Sequence, residues 1–257
     1  MLELVLDWPL VAAVLGALFA GTIKGASATG FPLIATPILT LALGPRPAVL
    51  AISLPTLLLN TLQTVRAPRP PEGSRWAYLQ RALPVIAGEL VGLPLGVWFL
   101  TNLDARALSV LIGAAVLLFA AYSVRFPAAT LPPGRLTAAL GAGAGFVGGW
   151  MGGTTGFFGP PLTVYLFALK LDKDVFVFLI SLVYQVVNVA QVGIYLAAGL
   201  YTPAVLVVGV GLCVPALLGF HLGVRLRPHL DQRTFYRVIL VVLMVSGLSA
   251  VIRPFLS

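Results

Sequence analysis

Two glycine-rich segments contain most of the residues that could bind a ligand. They run from Lys24 to Pro32 and from Gly152 to Pro160. Glycine and proline at this density interrupt a regular helix. The N–H groups of a helix that starts after such a break, with hydroxyls and an ammonium group nearby, suit an anion. The candidate anion ligands are Lys24, Gly25, Ser27, Thr29, Gly30, Gly153, Thr154, Thr155 and Gly156.

Two later stretches carry polar residues at helical spacing. These residues are Ser53, Thr56, Asn60 and Gln63 in one stretch and Ser181, Tyr184, Asn188 and Gln191 in the other. Spacings of 3, 4 and 3 place each set on one helix face. Such a face either bonds a neighbouring helix or lines an aqueous route. Both interpretations stay open, and Asn60, Gln63, Asn188 and Gln191 are the candidate route residues.

Three ionisable residues lie within or beside apolar sequence. Glu89 and His221 are candidates for carrying a coupling proton, since imidazole titrates near neutral pH and a membrane carboxyl can hold a proton. A structural role is an equal alternative for both, and Glu89 could instead neutralise Lys24. Lys24 is a counter-charge for an anionic substrate, unless its side chain reaches to a nearby membrane interface. The glycines, in turn, could serve only close helix packing.

The composition indicates the elements that position these residues. The chain has 257 residues, of which 59% are hydrophobic and 9% charged, with a mean hydropathy of +1.02. Soluble domains carry roughly 25% charged residues, so this chain is predicted to be an all-α integral membrane protein. The net charge of +8 resides in short loops and acts as a topology signal, so no nucleic acid partner is expected. Motifs of metalloproteases, hydrolases and NTPases are missing, which argues against an enzyme and predicts no cofactor or metal.

Ten apolar stretches follow one another along the chain. Six have the length of about 20 residues that a spanning helix needs. The other four are short and form two pairs, each joined by one of the glycine-rich segments. The short stretches are 8–23, 31–43, 136–150 and 158–169. Each pair is predicted to be two half-helices, or steeply tilted short helices, that meet at an unwound tip inside the membrane.

The two halves of the sequence match at an offset of 128 residues. The matched polar and glycine positions include Gly21 with Gly149, Gly25 with Gly153, Asn60 with Asn188, and Gln63 with Gln191. At an offset of 127, Gly92 and Gly96 match Gly219 and Gly223. We interpret this as a duplication, with repeats at 1–128 and 129–257 in one membrane domain. Each repeat is predicted to hold one broken or re-entrant pair and three transmembrane helices, giving 8–10 membrane segments.

Basic residues predict the orientation. On one side of the membrane the loops and their flanks carry Arg66, Arg69, Arg75, Arg81, Arg125, Arg135, Lys170, Lys173, Arg225, Arg227, Arg233 and Arg237. The other side carries Arg46, Arg106 and Arg253. The richer side is therefore expected to be cytoplasmic, with both termini extracytoplasmic. An odd number of crossings in each half then makes the second repeat inverted, an arrangement typical of secondary transporters.

The glycine-rich segments also resemble a known family. LFAGTIKGASATGFPLIATPIL and GFVGGWMGGTTGFFGPPLTVYLFAL are similar to the two signature segments of the sulfite exporter TauE/SafE family of membrane transporters. The first segment departs from that family at Ala26, Ser27 and Ala28, where the family often has glycines. The resemblance implies movement of sulfite or organosulfonates across a bacterial-type cytoplasmic membrane.

These observations lead to one hypothesis and two alternatives. The hypothesis is a secondary transporter that exports a small sulfur-containing anion by alternating access, with a proton or another ion as a candidate for coupling. The substrate is expected at mid-membrane between the two breaks. The alternatives are a passive anion channel and a membrane accessory protein without transport of its own.

Overall fold

The architecture is helical throughout the described part of the chain. The computed structural model describes residues 8–27, 30–68, 72–125 and 134–226, together with 241, 244–245, 247–252 and 255. These ranges contain no strand, which confirms the all-α class. Their α-helices are α1 Trp8–Ser27, α2 Phe31–Leu43, α3 Pro45–Arg66, α4 Glu72–Asn102, α5 Ala105–Arg125, α6 Arg135–Thr155, α7 Gly159–Ala168, α8 Lys173–Ala197 and α9 Pro203–Leu226.

Five of these helices are long and apolar enough to cross a bilayer. They are α1, α3, Trp76–Asn102 of α4, Asp174–Ala197 of α8, and α9. Large apolar side chains lie on the outside of the helices, and Val207 and Leu118 are 74% and 71% exposed. Water would penalise such surfaces, whereas lipid chains solvate them. The chain is a multi-pass membrane protein.

The first member of each broken pair is longer than the sequence predicted. α1 has 20 residues and continues through Lys24 and Gly25 to Ser27. α6 has 21 residues and continues through Gly152 and Gly153 to Thr155. The prediction of short stretches at 8–23 and 136–150 is therefore wrong. The second members are short as predicted, since α2 has 13 residues and α7 has 10.

Close packing explains why glycines remain inside α1. A Cβ atom on Gly21 would overlap the carbonyl oxygen of Ala216 in α9, and one on Gly25 would overlap that of Phe220. The backbones of α1 and α9 therefore touch, as small residues allow between membrane helices. The gain in packing outweighs the low helix propensity of glycine.

The pair formed by α6 and α4 repeats this contact. A Cβ atom on Gly149 would overlap the carbonyl oxygen of Glu89, and one on Gly153 would meet that of Leu93. Gly21 and Gly25 match Gly149 and Gly153 at the offset of 128, and their carbonyl partners match at 127. The two helix contacts are thus equivalent position by position. The repeat boundary and the inverted orientation stay predictions.

The chain divides into two compact units. The first unit comprises Met1–Pro55, Asp104–Ala120 and Thr202–Ser257, and the second comprises Thr56–Leu103 and Ala121–Tyr201. Each unit therefore takes helices from both halves of the sequence. The break between α1 and α2 belongs to the first unit, and the break between α6 and α7 belongs to the second.

Candidate functional site

The first break separates α1 from α2 at Gly30. Gly30 has φ 91° and ψ 0°, a left-handed conformation that favours glycine over other residues, and it stands at the N-cap of α2. Its carbonyl oxygen accepts the first helical bond, from Ile34 N at 3.2 Å. Pro32 supplies no N–H group, so Phe31 and Leu33 carry the early N–H groups that have no partner inside the helix. Thr29, a predicted ligand, lies outside the described residues.

Lys24 lies in the last turn of α1, just before this break. Its side chain is only 1% exposed. The alternative of a lysine reaching to a membrane interface therefore does not describe this residue. A buried cation in a membrane helix is costly and is by default a functional residue. The carbonyl end of a helix, where Lys24 lies, favours positive charge.

Hydroxyl groups of the first unit differ in what they can donate. Ser27 Oγ donates to Ile23 O at 2.8 Å, so its hydrogen is already used within α1. Thr36 and Thr40, one turn apart on α2, are buried, and their hydroxyls have no hydrogen-bond partner among the described residues. These two threonines were not among the ligands predicted from the sequence. Their spacing of four in an otherwise apolar helix was the available signal.

The second break separates α6 from α7 around Gly156. Gly156 has φ 86° and ψ −4°, again left-handed, and its N–H donates to Gly152 O at 2.8 Å. This closes the carbonyl end of α6. α7 begins with Gly159, Pro160 and Pro161. Two of its first three residues therefore lack an N–H group, which reduces the donors that this helix start offers an anion.

The two threonines at the end of α6 bond to the backbone. Thr154 Oγ1 lies 2.8 Å from Trp150 O and 3.1 Å from Gly96 O. Thr155 Oγ1 donates to Met151 O at 2.6 Å. Each hydroxyl has one hydrogen, and that hydrogen is engaged. Donation to a ligand would require these bonds to open, so the predicted role of Thr154 and Thr155 stays a prediction.

A polar network on α8 holds the end of α6. Gln191 Nε2 donates to Gly152 O at 2.9 Å and to Tyr195 OH at 2.9 Å. The Tyr195 hydroxyl donates to Gly153 O at 3.0 Å. Asn188 Nδ2 donates to Gln191 Oε1 at 2.8 Å. We call Asn188, Gln191 and Tyr195 the α8 clamp, because Gln191 and Tyr195 bond the last carbonyls of α6 and Asn188 bonds Gln191.

The directions of these hydrogen bonds determine which side-chain atom of Asn188 has no partner among the described residues. Because Tyr195 donates to a carbonyl, it accepts from Gln191, whose carbonyl oxygen in turn accepts from Asn188. Asn188 Oδ1 is buried and has no partner among the described residues. The α8 clamp therefore ends in an acceptor. Tyr195 was missed from sequence, although it extends the polar face of α8 by one further turn.

The other polar stretch joins α3 to α8. Gln63 Nε2 donates to Ser181 Oγ at 2.9 Å, and Thr64 Oγ1 donates to Ser181 O at 3.0 Å. Asn60 and Gln63 are 4% and 7% exposed. The interpretation of helix-to-helix bonding thus holds for the Gln63 amide nitrogen. Gln63 Oε1 remains a buried acceptor with no partner among the described residues.

Glu89 and His221 lie in different environments. Glu89 is fully buried, and neither carboxyl oxygen has a hydrogen-bond partner in the described part of the chain. His221 is exposed on α9, with Nδ1 2.9 Å from Leu217 O. Of the two coupling candidates, Glu89 is the one that lies in the protein interior.

The two breaks differ in the side chain that accompanies each. At the offset of 128, the counterpart of Lys24 is Gly152, and the counterpart of Gly30 is Phe158. A Cβ atom on Gly152 would overlap the Phe158 ring, so this ring packs directly on the end of α6. The first break thus follows a buried lysine, whereas the second is packed by an aromatic ring.

Comparison with known proteins identifies the family of this chain. A sequence model of the family described as sulfite exporter TauE/SafE matches residues 13–250, a range that includes both breaks and the α8 clamp. The chain has no match among curated proteins or solved structures. A family match over nearly the whole chain agrees with the helical membrane architecture and with the two glycine-rich segments. The chain belongs to the sulfite exporter TauE/SafE family of membrane transporters.

Proposed function

We propose that this chain is a secondary transporter that exports a small sulfur-containing anion, such as sulfite or an organosulfonate, across the cell membrane. The family supports a membrane transporter of sulfite or a related anion. The observation that carries the finer proposal is Lys24, an almost fully buried cation in the last turn before a helix break. That the substrate lies between the two breaks remains a sequence-based prediction.

Charge is the physical reason for assigning the anion to Lys24. An ammonium group removed from water loses several kcal/mol of solvation, which a bound anion can return. The start of α2 adds the partial positive charge of a helix N-terminus and the N–H groups of Phe31 and Leu33. A sulfite or sulfonate group has three oxygens that accept hydrogen bonds from such donors. We assign this first contact to Lys24, Gly30 and the start of α2.

The other predicted ligands differ in how readily they could bind the anion. Gly25 and Gly153 pack against neighbouring helices, which accounts for glycine there without a ligand. Ser27, Thr154 and Thr155 would bind the anion only after releasing a backbone carbonyl. Thr36 is a better donor, since its buried hydroxyl lacks a partner among the described residues. We therefore add Thr36 to the proposed anion ligands.

The α8 clamp has a supporting role in the proposed transport cycle. A helix that ends within the bilayer exposes carbonyl groups, and the clamp bonds those of Gly152 and Gly153. α8 and the end of α6 would then move together when the transporter changes its open side. The unpartnered oxygens of Gln63 and Asn188 would bond water or substrate along the route in one of its states.

Flux into proteoliposomes that contain the purified chain would test the proposed function. Sulfite, methanesulfonate, isethionate and thiosulfate form the panel, with chloride as the control anion. We expect flux of at least one sulfur anion that saturates with concentration and is competed by the others, but not by chloride. Flux that rises without saturation would indicate a channel. A chain that moves none of the four anions would overturn the proposal.

A further inference from the structure

Glu89 is a buried carboxyl group to which no described residue donates a hydrogen bond. Its side chain is fully buried on α4, and neither oxygen has a hydrogen-bond partner in the described residues. It faces the glycine surface of α6: Oε1 lies 3.0 Å from the position a Cβ atom on Gly148 would take. An ionised carboxylate without hydrogen bonds is among the most costly groups to bury. An ionisable residue buried within a membrane helix is a candidate for a function.

The carboxyl group lies beside the second break. The same Cβ position on Gly148 is 3.4 Å from Phe158 O, so a backbone acceptor of the break is close to Glu89. The hydroxyl of Tyr184 lies 2.8 Å from the Cβ position of Gly159. This hydroxyl forms a hydrogen bond with the side chain of Thr163 in α7 and interacts electrostatically with Glu89. The groups near Glu89 are thus a carbonyl and a phenol.

No cation faces Glu89 from the described residues of the elements packed against it. On α6 the described ionisable residue is Arg135, exposed in its first turn. On α7 it is Tyr165, which donates to Arg81 O at 3.2 Å. Beyond the first turn of α8 the ionisable residues are Tyr184 and Tyr195. Glu89 therefore meets acceptors and weakly acidic hydroxyls, which suit a carboxylic acid that donates its proton.

We propose that Glu89 is the proton-binding group that couples anion transport to proton movement. This inference rests on the proposed function. The carboxylate takes a proton from water on one side of the membrane, forming an O–H bond that can donate to a break carbonyl such as Phe158 O. It returns the proton to water on the other side. An anion in the same low-dielectric protein is repelled by the ionised form, so the anion and proton bind together and cross in the same direction. Net export is then driven by an outward gradient of the anion.

The predicted repeat bears on the number of protons that move with each anion. The positions that match Glu89 at offsets of 127 and 128 are Ala216 and Leu217, and the position that matches Tyr184 is Thr56. None of these counterparts titrates. The proton site thus belongs to one half of the sequence, and we infer one proton for each anion.

Calorimetric titration of the purified full-length chain with methanesulfonate tests this inference, since that anion does not itself titrate near neutral pH. Repeating the titration in buffers of different ionisation enthalpy counts the protons taken up. Above the pH at which Glu89 ionises in the free protein, the wild type should take up about one proton per anion, and the affinity should fall by up to about tenfold per pH unit. Glu89→Gln, which imitates the protonated acid, should bind the anion without proton uptake. Asp172→Asn, an exposed carboxyl at the start of α8, should behave as wild type.

Infrared difference spectra of the wild-type protein give a second readout, which does not depend on whether Glu89→Gln folds. Anion binding should increase the band of a protonated carboxyl group. Wild-type binding without proton uptake, or without that band, at a pH where the free protein has Glu89 ionised would overturn the coupling role and leave the proposed function standing. A wild-type protein that binds neither methanesulfonate nor sulfite would overturn both.

Discussion

The side-chain amide of Gln191 donates to the carbonyl oxygen of Gly152 at 2.9 Å. This bond joins a helix that is long enough to span the membrane to the last turn of a helix that stops at the second break. Backbone carbonyls at such an end have no partner within a regular helix. Gln191 and the Gly156 N–H, which is 2.8 Å from the same oxygen, donate the hydrogen bonds that this carbonyl needs. The Gln191 side chain thus stabilises the end of α6 at the second break.

Replacing Gln191 by leucine should destabilise the protein. The substitution leaves Asn188 Nδ2 without its partner and removes one of the donors to Gly152 O. The Tyr195 hydroxyl loses the donor Gln191 but still donates to Gly153 O. Each buried group left unpaired costs about 1–3 kcal/mol. Thermal unfolding in detergent measures the loss. Gln185→Leu is the matched control, because Gln185 on the same helix makes only an exposed contact of 3.3 Å with Thr61. Equal shifts in the two variants would contradict the clamp.

Tyr195→Phe should weaken the same network through one atom. It removes the hydroxyl that donates to Gly153 O and accepts from Gln191, at a cost of about 1 kcal/mol. Because the groups share one network, the double variant with Gln191→Leu should lose less than the sum of the single losses, with a coupling of about 0.5–3 kcal/mol. Unfolding free energies of the four proteins form the cycle. Additive losses would show that the two side chains act separately.

Gly149→Ala should prevent correct packing of α6 on α4. The added methyl group would overlap the carbonyl oxygen of Glu89, which is backbone and cannot turn aside. We expect the fraction of monodisperse protein in size-exclusion chromatography to fall sharply. Gly143→Ala on the same helix is the control, since nothing lies within 4 Å of its Cβ position. That variant should be neutral or gain about 0.5–1 kcal/mol from helix propensity. Similar behaviour of the two variants would contradict the close contact.

The sequence located the breaks because glycine has a distinct conformational role there. Gly30 and Gly156 adopt left-handed conformations that other residues rarely take, and prolines follow each break. The lengths of α1 and α6 were not predictable in the same way. Gly25 and Gly153 look like helix breakers in isolation, and only their contact with α9 and α4 shows why the helix continues through them. The local composition of a segment does not show which distant helix will pack against it.

The site residues show the same limit. Lys24 and Glu89 could be singled out because charges are rare in apolar sequence, and both are buried. The polar face of α8 was visible from its spacing, but which atoms it bonds was not. Tyr195 was missed because tyrosine in an apolar helix resembles an interfacial or core residue. Its hydrogen bond to Gly153 O depends on where α6 ends, which is a property of the tertiary structure.

Cysteine labelling would test the predicted orientation. In a Cys213→Ala background, Pro68→Cys should react with an impermeant maleimide only from the cytoplasmic side. Thr202→Cys should react from the extracytoplasmic side, because the loop before α9 is predicted to lie there. Both positions are exposed. Labelling with the sides exchanged would contradict the orientation derived from the basic residues.

Sulfite flux into proteoliposomes, compared between Lys24→Met and Lys170→Met, tests most directly whether the buried lysine at the first break binds the anion. Lys170 is exposed in the turn after α7 and controls for the loss of one positive charge. A hydrogen bond to a charged group contributes about 1.5–3 kcal/mol, so Lys24→Met should raise the half-saturating concentration about 10- to 150-fold. Lys170→Met should transport as wild type. A folded Lys24→Met protein with unchanged sulfite flux would contradict the proposed site.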